Sequence, residues 1–381
     1  MKELSDKVAQ APKSKIRELF SLASGKSDII SFGIGQPDFH TPKPVIDGII
    51  NALKDNITMY APTKGSPELL ELIAKKVEKV NSITADPDEN IIVTNGGSGA
   101  LTLTYASIFN PGDELIVCSP NFVSYFYLAE FFGVKVIEIE RNHDFSPNIE
   151  KIRSAITERT KAILINSPNN PTGYALTNDE LKSIANIVKE NDLYLISDEV
   201  YENYIYDDVT HTSPASLKEI SERTITVNAM SKLFSATGIR LGYVVANKEI
   251  LNLMETYTTY TVAGTNFPAQ YGFIEALKMD TSFFDSILKS FNERRLFVFS
   301  RLNEMGFDVV KPRGAFYIMP SVKPFNLTGQ EFSEKIIKEK GVAIVPGNIF
   351  GEYSNDRLRI SYATEIEKLK EGLNRIEEFI Q

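Results

Sequence analysis

The sequence has no tryptophan and only one cysteine among its 381 residues. A single thiol excludes an intramolecular disulfide, so nothing in the chain calls for an oxidising compartment. That cysteine, Cys118, sits in "ELIVCSP" and reads as a buried strand residue, not a reactive thiol. Histidine is scarce too. His40, His143 and His211 are scattered, and none has ligand spacing to another, so no metal site is expected. No apolar run approaches the roughly 20 residues that cross a bilayer. The opening "MKELSDKVAQAPKSK" lacks the apolar segment of a secretion signal. Positive charge is in deficit: 41 Lys and Arg against 50 Asp and Glu leave a net charge of −9. That balance argues against general nucleic-acid binding. The expectation is a cytoplasmic protein with neither nucleic acid nor membrane as partner.

What is present is an ordinary globular composition, 43% hydrophobic and 24% charged, on a chain long enough for two domains. Short β-rich runs recur through the middle: 90–94, 113–119, 134–140, 161–166, 193–197, 223–228 and 241–246. Helical patterns lie between several of them, as in "NDELKSIANIVKEN" (178–191). Several runs are continuously apolar, as strands covered on both faces are. The middle is therefore an α/β domain with a largely parallel sheet. The C-terminal part has amphipathic helices around 282–305, 330–340 and 364–380. Short strands at 315–319 and 357–363 lie between them, which reads as a smaller α+β domain. The boundaries expected are 48–281 for the large domain and 1–47 with 282–381 for the small one.

Ligands of open α/β sheets bind beyond the carboxyl ends of the strands. Those positions hold "NGGSGA", "SPNF", "NSPNNPTG", "SDEVY" and "AMSK". The glycine turn in "TNGGSGALTL" offers backbone N–H groups for a phosphate, although a plain strand-to-helix turn would read the same. No Gly-Lys-Ser/Thr follows it, so it is not a P-loop. The "GIG" at 33–35 fails as a dinucleotide fingerprint, because Asp38 stands where its third glycine belongs. "NSPNNPTG" is either a loop of turn formers or a pair of amide donors beside a ligand. Asp198 either caps a helix or serves a site. "SKLFSATGIRLGY" sets Lys232 among small and apolar residues, where an ammonium resists losing water. A carboxylate, a lysine, an arginine, a phosphate turn and the planar Phe122 fall at successive strand ends. Together these are the parts of a pyridoxal phosphate site.

Eleven stretches then occur in one order: "GIGQPDFHTP", "YAPTKGSPELLELIA", "GGSGAL", "NPGDELIV", "SPNFVSY", "NSPNNPTG", "SDEVY", "SKLFSATGIRLGY", "GAFY", "VPGNIFG" and "RISYAT". In these the chain resembles the class I/II aminotransferases of fold type I over nearly its whole length, and most of all the prokaryotic aspartate and aromatic amino-acid branch. The resemblance implies a large domain with a mostly parallel seven-stranded sheet and pyridoxal 5'-phosphate as cofactor. It also implies amino acid and 2-oxoacid substrates and a homodimer with shared active sites.

It further implies roles. Lys232 is the Schiff-base lysine and moves a proton at the substrate Cα. Asp198 pairs with the pyridine nitrogen, and Tyr201 donates to the cofactor's 3-oxygen. Asn170 approaches that oxygen and reaches the substrate carboxylate, while Phe122 stacks on the ring. Gly97, Ser98, Gly99, Ser231 and Arg240 hold the phosphate, joined by Tyr60 from a second subunit. Ala229 stands where relatives often add a hydroxyl. Arg359 binds the α-carboxylate with the backbone of Gly35 as its partner. Without the resemblance, Arg359 would read as a surface arginine on a strand.

Donor specificity is open at this stage. Aspartate-preferring relatives need a cation for the distal carboxylate, yet the phosphate turn has Ser98, and 257–270 contains no lysine or arginine. The expectation is an aromatic or broad donor preference, aspartate remaining an option, with a 2-oxoacid such as 2-oxoglutarate as acceptor in a ping-pong scheme. The alternatives are a C–S β-lyase on the same scaffold, and a non-catalytic cofactor-binding regulator. The last would need a DNA-binding extension for which the pattern leaves no room.

Overall fold

The structure is a computed structural model that describes residues 28–280 and 282–381. The amino-terminal stretch discussed above lies outside these. Twelve strands are described, in chain order β1 (Ile30–Ser31), β2 (Ile91–Thr94), β3 (Glu114–Ser119), β4 (Lys135–Glu140), β5 (Thr160–Asn166) and β6 (Tyr194–Asp198). They continue with β7 (Thr224–Ala229), β8 (Gly242–Val245), β9 (Tyr317–Ile318), β10 (Val342–Ala343), β11 (Val345–Pro346) and β12 (Leu358–Ser361). The helices that matter below are α1 (Lys43–Lys54), α2 (Pro67–Asn81), α3 (Gly96–Ile108), α4 (Asn178–Glu190), α5 (Phe283–Glu304), α6 (Gly329–Lys340) and α7 (Ile366–Ile380).

The seven apolar runs of the sequence form one sheet, ordered β2-β8-β7-β6-β5-β3-β4. Neighbours from β7 to β4 are parallel, while β8 runs antiparallel to both β7 and β2. Every residue of β3 is buried, Cys118 included, and burial pushes that thiol's pKa up. Helix α4 shows why the sequence gives these elements. Thr177 and Glu180 form a capping box at its start. Leu181, Ile184, Ala185 and Val188 then recur at helical spacing and bury against Ile163, Ile165 and Leu195 of the sheet.

The C-terminal unit is built on β11-β12-β9, an antiparallel sheet, and on α5, α6 and α7. β1 pairs in parallel with β10, so the amino-terminal side of the described chain joins this unit before crossing to α1. The strand expected at 315–319 is shorter than its apolar run, because Ala315 takes a φ of +54° and pairing begins only at Tyr317. Helix α5 buries two arginines along with Phe284, Phe291, Val298 and Leu302. Both are paired: Arg294 with Asp38 at 2.8 Å, Arg295 with Asp207 at 2.7 Å. Tyr201, Tyr204 and Tyr206, from the loop after β6, pack into the core of this second unit. That loop therefore joins the two cores, and the candidate site lies at its start. Among the described residues no helix is long and apolar enough to cross a membrane.

Candidate active site

The carboxyl ends of β5, β6 and β7, the glycine turn that opens α3, and the 33–35 loop surround a cavity of about 270 Å³. Tyr317 of β9 and Arg359 of β12 close it from the smaller unit. Of the thirteen residues singled out in sequence, eleven line this cavity: Gly35, Gly97, Ser98, Phe122, Asn170, Asp198, Tyr201, Ser231, Lys232, Arg240 and Arg359. Two do not. Tyr60 is 86% exposed and away from the cavity of its own chain. Gly99 lies a step further into α3, and its N–H already donates to the Asn95 carbonyl at 3.3 Å.

Asp198 ends β6 and is 4% exposed. Its Oδ2 accepts from the Tyr125 hydroxyl at 2.7 Å and its Oδ1 from the Val200 N–H at 3.2 Å. Burial pushes its pKa up to about 6, against the pull of those two donors. The carboxylate lines the cavity, and the helix-cap reading fails, since no helix follows it.

Lys232 stands in a single helical turn, Met230–Leu233, directly after β7. Its Nζ donates to the Gly35 carbonyl at 2.7 Å and lies 5.6 Å from the centre of the Tyr201 ring. Burial lowers its pKa to about 8, and Arg359 and Arg240 add to the shift while Asp198 opposes it. An amine in such a setting gives up its proton far more readily than an ordinary lysine.

Arg359 is 3% exposed, which overturns its reading as a surface residue. Its guanidinium lies over the rings of Tyr317 and Phe350, at 4.7 and 5.0 Å from their centres. Nη1 donates to Asn170 Oδ1 at 3.1 Å and Nη2 to the Gly33 carbonyl at 2.7 Å. Its backbone partner is thus Gly33, not the expected Gly35, whose carbonyl is engaged by Lys232. Nε is buried without a partner, leaving a charged donor to be satisfied. Tyr201 meets Tyr317 through their hydroxyls, 2.9 Å apart.

The glycine turn makes the other end of the cavity. Gly96 has a φ of +70°, and a Cβ there would meet the Arg240 guanidinium at 2.7 Å. Only glycine allows both the turn and the arginine. Gly97 and Ser98 present first-turn N–H groups, and α3 directs its positive dipole end at the cavity. Arg240 is tethered through Nη1 to the Thr237 carbonyl at 2.8 Å. The end of the cavity is therefore built for an anion.

Sequence reasoning missed six lining side chains that matter: Tyr125, Tyr317, Asn166, Thr237, Val200 and Leu101. Tyr125 and Tyr317 stood inside quoted motifs, "SPNFVSY" and "GAFY", but only the fold shows what their hydroxyls touch. It also missed a buried polar cluster behind Asp198. Glu199, Glu202 and His211 bring their ligand atoms within 4.8 Å of one another. The Lys76 ammonium bonds Glu202, His211 bonds Glu199 at 2.9 Å, and Asn81 bonds Glu202 at 2.6 Å. These partners fill the cluster and neutralise it.

Residues 27–376 match the family described as "Aminotransferase class I and II". The chain is 43% identical to an aspartate aminotransferase of Pyrococcus abyssi, over 99% of this chain and 98% of that one. It is 40% identical to aromatic-amino-acid aminotransferase 2 of Thermococcus litoralis, with the same coverage. A solved aspartate aminotransferase of Thermus thermophilus with maleate superimposes with a TM-score of 0.95 at 35% identity, over 99% of this chain and all of that one.

Proposed function

The chain belongs to the class I and II aminotransferases, and we propose how its residues divide that work and which donors it prefers. It is a pyridoxal 5'-phosphate-dependent enzyme that moves an amino group from an amino acid to a 2-oxoacid. The cavity fits the cofactor by its donor set. One end gathers first-turn N–H groups and Arg240, the other a buried carboxylate, and a lysine with a lowered pKa stands between. When bound, the cofactor supplies an electron sink for charge left at the substrate Cα and carries the amino group between half-reactions.

Asp198 would hold the ring nitrogen, its ionised form kept available by Tyr125 and the Val200 N–H. Gly97, Ser98, Ser231 and Arg240 would hold the phosphate, with Gly99 a lesser contributor because its N–H is committed to the helix. Phe122 and Val200 supply apolar walls, and Asn170 and Tyr201 would face the 3-oxygen. Lys232 would hold the cofactor and, once an incoming amine has taken its place, would be the base that moves the proton at the substrate Cα. Arg359 receives the α-carboxylate. The amino acid and the 2-oxoacid use this one arginine in turn, which supports a ping-pong order.

The observation that carries this reading is that Lys232, Asp198, Arg240 and Arg359 share one cavity. The same observation bears on the donor. Among the described residues three cations line the cavity, each assigned above, and none of these remains for a distal carboxylate. Lys64 is turned to the Asp88 carbonyl and to Glu255. An aromatic or broad donor preference follows. An acceptor such as 2-oxoglutarate meets the same lack, so acceptors belong in the same test.

The proposal extends to assembly and location. Met59, Tyr60 and Tyr260 are strongly exposed, as are Ile50 and Leu53 of α1. This apolar surface supports a homodimer in which Tyr60 reaches the partner's phosphate site. A cytoplasmic location and the division into 48–281 and the flanking segments complete the reading.

The test is to add phenylalanine, tyrosine, aspartate and alanine separately to the holoenzyme without acceptor. Each competent donor should change the bound-cofactor absorption in one stoichiometric step, and a 2-oxoacid should reverse it. Aspartate as by far the best donor contradicts the reading of the pocket. Catalytic release of pyruvate and ammonia without acceptor would put the β-lyase in its place; no observation here favours it.

A further inference from the structure

One buried side chain, Tyr317, touches three parts of the site. Tyr317 is fully buried on β9, paired with Ser361 of β12 two residues beyond Arg359. Its ring lies under the Arg359 guanidinium, 4.7 Å from the carbon centre, and the Phe350 ring is 5.0 Å from the same carbon. Its hydroxyl is 2.9 Å from that of Tyr201, and the two rings meet edge to face at 81°. A Cβ on Gly35 would fall 2.7 Å from the same hydroxyl, while the next Tyr317 atom, Cζ, would be an ordinary 3.8 Å away. Gly35 in turn holds Lys232 through its carbonyl.

We propose that Tyr317 is a positioning residue that ties the carboxylate-binding arginine to the cofactor-facing phenol. Its ring fixes the plane of Arg359 and its O–H fixes the hydroxyl of Tyr201. The inference rests on the roles given above to Tyr201 and Arg359.

The direction of the hydroxyl bond follows from donor counting. Each phenol has one proton. If Tyr201 directs its own at the cofactor's 3-oxygen, the bond between the two tyrosines must be donated by Tyr317. The cation over its ring makes Tyr317 the better donor. Burial raises both phenols, Tyr201 well above 10, and Arg359 pulls each the other way. Both therefore keep their protons across the working range. The pair also joins the two units, since Tyr201 follows β6 of the large sheet and Tyr317 lies in the small one. A purely structural tyrosine here would need only its ring, because phenylalanine fills nearly the same volume.

The experiment titrates the absorption of the bound cofactor with pH, in holoenzyme without substrate, beside steady-state kinetics. Losing the Tyr317 hydroxyl weakens Tyr201 as a donor, so the 3-oxygen takes up a proton at higher pH. In Tyr317→Phe the midpoint should rise by about 0.5 to 1 pH unit, the worth of one hydrogen bond. Tyr201→Phe should move it further in the same direction. The amino-acid KM should change less than about threefold in Tyr317→Phe, which keeps the ring. It should rise about tenfold in Tyr317→Leu, which does not. Gly35→Ala should impair turnover, and Tyr317→Phe in the same chain should restore part of it by removing the atom the new methyl meets.

An unmoved midpoint in Tyr317→Phe, with Tyr201→Phe shifted and Arg359→Lys impaired in KM, overturns the inference alone. So does a Gly35→Ala defect that is equal in both backgrounds. If Tyr201→Phe leaves the midpoint in place, or Arg359→Lys leaves KM unchanged, the underlying assignment fails and the inference falls with it.

Discussion

Lys232 and Gly35 are 197 residues apart in sequence, and the lysine Nζ donates to the glycine carbonyl at 2.7 Å. The partner is a neutral backbone oxygen, not a carboxylate. The amine can therefore lose its proton without leaving a buried anion unpaired. The loop that carries Gly35 also gives its Gly33 carbonyl to Arg359. One crossing segment thus contacts both the proposed nucleophile and the proposed carboxylate site.

The charges of the site should destabilise the cofactor-free protein, with a pH dependence of known sign. Burial lowers Lys232 from 10.5 to about 8. Its contribution to stability is fully present above pH 10.5 and lost as pH falls through 8. Asp198 is raised from 3.8 to about 6, so its contribution is fully present below 3.8 and lost as pH rises through 6. Between about pH 6 and 8 both groups are charged and both oppose folding. Lys232→Met should therefore raise the Tm of the cofactor-free protein at pH 7, by on the order of 1 to 3 kcal/mol in stability. The advantage should shrink towards pH 10. Thermal unfolding at both pH values checks this, and a variant less stable than wild type at pH 7 contradicts it.

Removing the Asp198 charge should act on turnover more than on substrate binding. Asp198→Ala should lose about 10²-fold or more in kcat, the scale of a lost electrostatic stabiliser in a closed site. Asp198→Glu should keep far more. Near-normal kcat in the alanine variant would leave Asp198 with a structural role only.

Arg359→Lys should raise KM for the amino acid and for the 2-oxoacid alike, by about tenfold or more, because one arginine serves both. An ammonium cannot make the paired contact of a guanidinium. Steady-state kinetics with each substrate varied is the check. A defect confined to one of the two substrates would show that they use different sites.

Subunit sharing predicts complementation. Tyr60→Ala and Lys232→Ala should each be weakly active alone. Dissociated and reassociated together, they should regain activity, because a hybrid dimer has one site with both residues intact. Sedimentation should show dimers throughout. No recovery in verified hybrids would place Tyr60 in its own chain's site or in none.

The strands were legible because their apolar runs are continuous and bounded by turn formers. The run at 161–166 became β5, Thr160–Asn166, and 193–197 became β6, Tyr194–Asp198. Strand direction was not legible, since an apolar run carries none, and β8 is antiparallel to its neighbours. The site's residues were legible where they follow a strand directly, as Asp198 and Lys232 do. Contacts between distant segments were not. Tyr125 meets Asp198 across 73 positions, and Tyr201 meets Tyr317 across 116. His211 looked isolated in sequence, yet the fold pairs it with Glu199. The choice between Gly33 and Gly35 beside Arg359 depends on the path of a loop that no local pattern fixes.

The central claim is that Lys232 is the residue through which this chain holds its cofactor. Holoenzyme reduced with borohydride, digested and mapped by mass spectrometry tests it directly. The account predicts a stoichiometric cofactor adduct on the peptide containing Lys232, and none in Lys232→Ala although that variant still binds the cofactor reversibly. An adduct on any other lysine, or an undiminished adduct in Lys232→Ala, would contradict it.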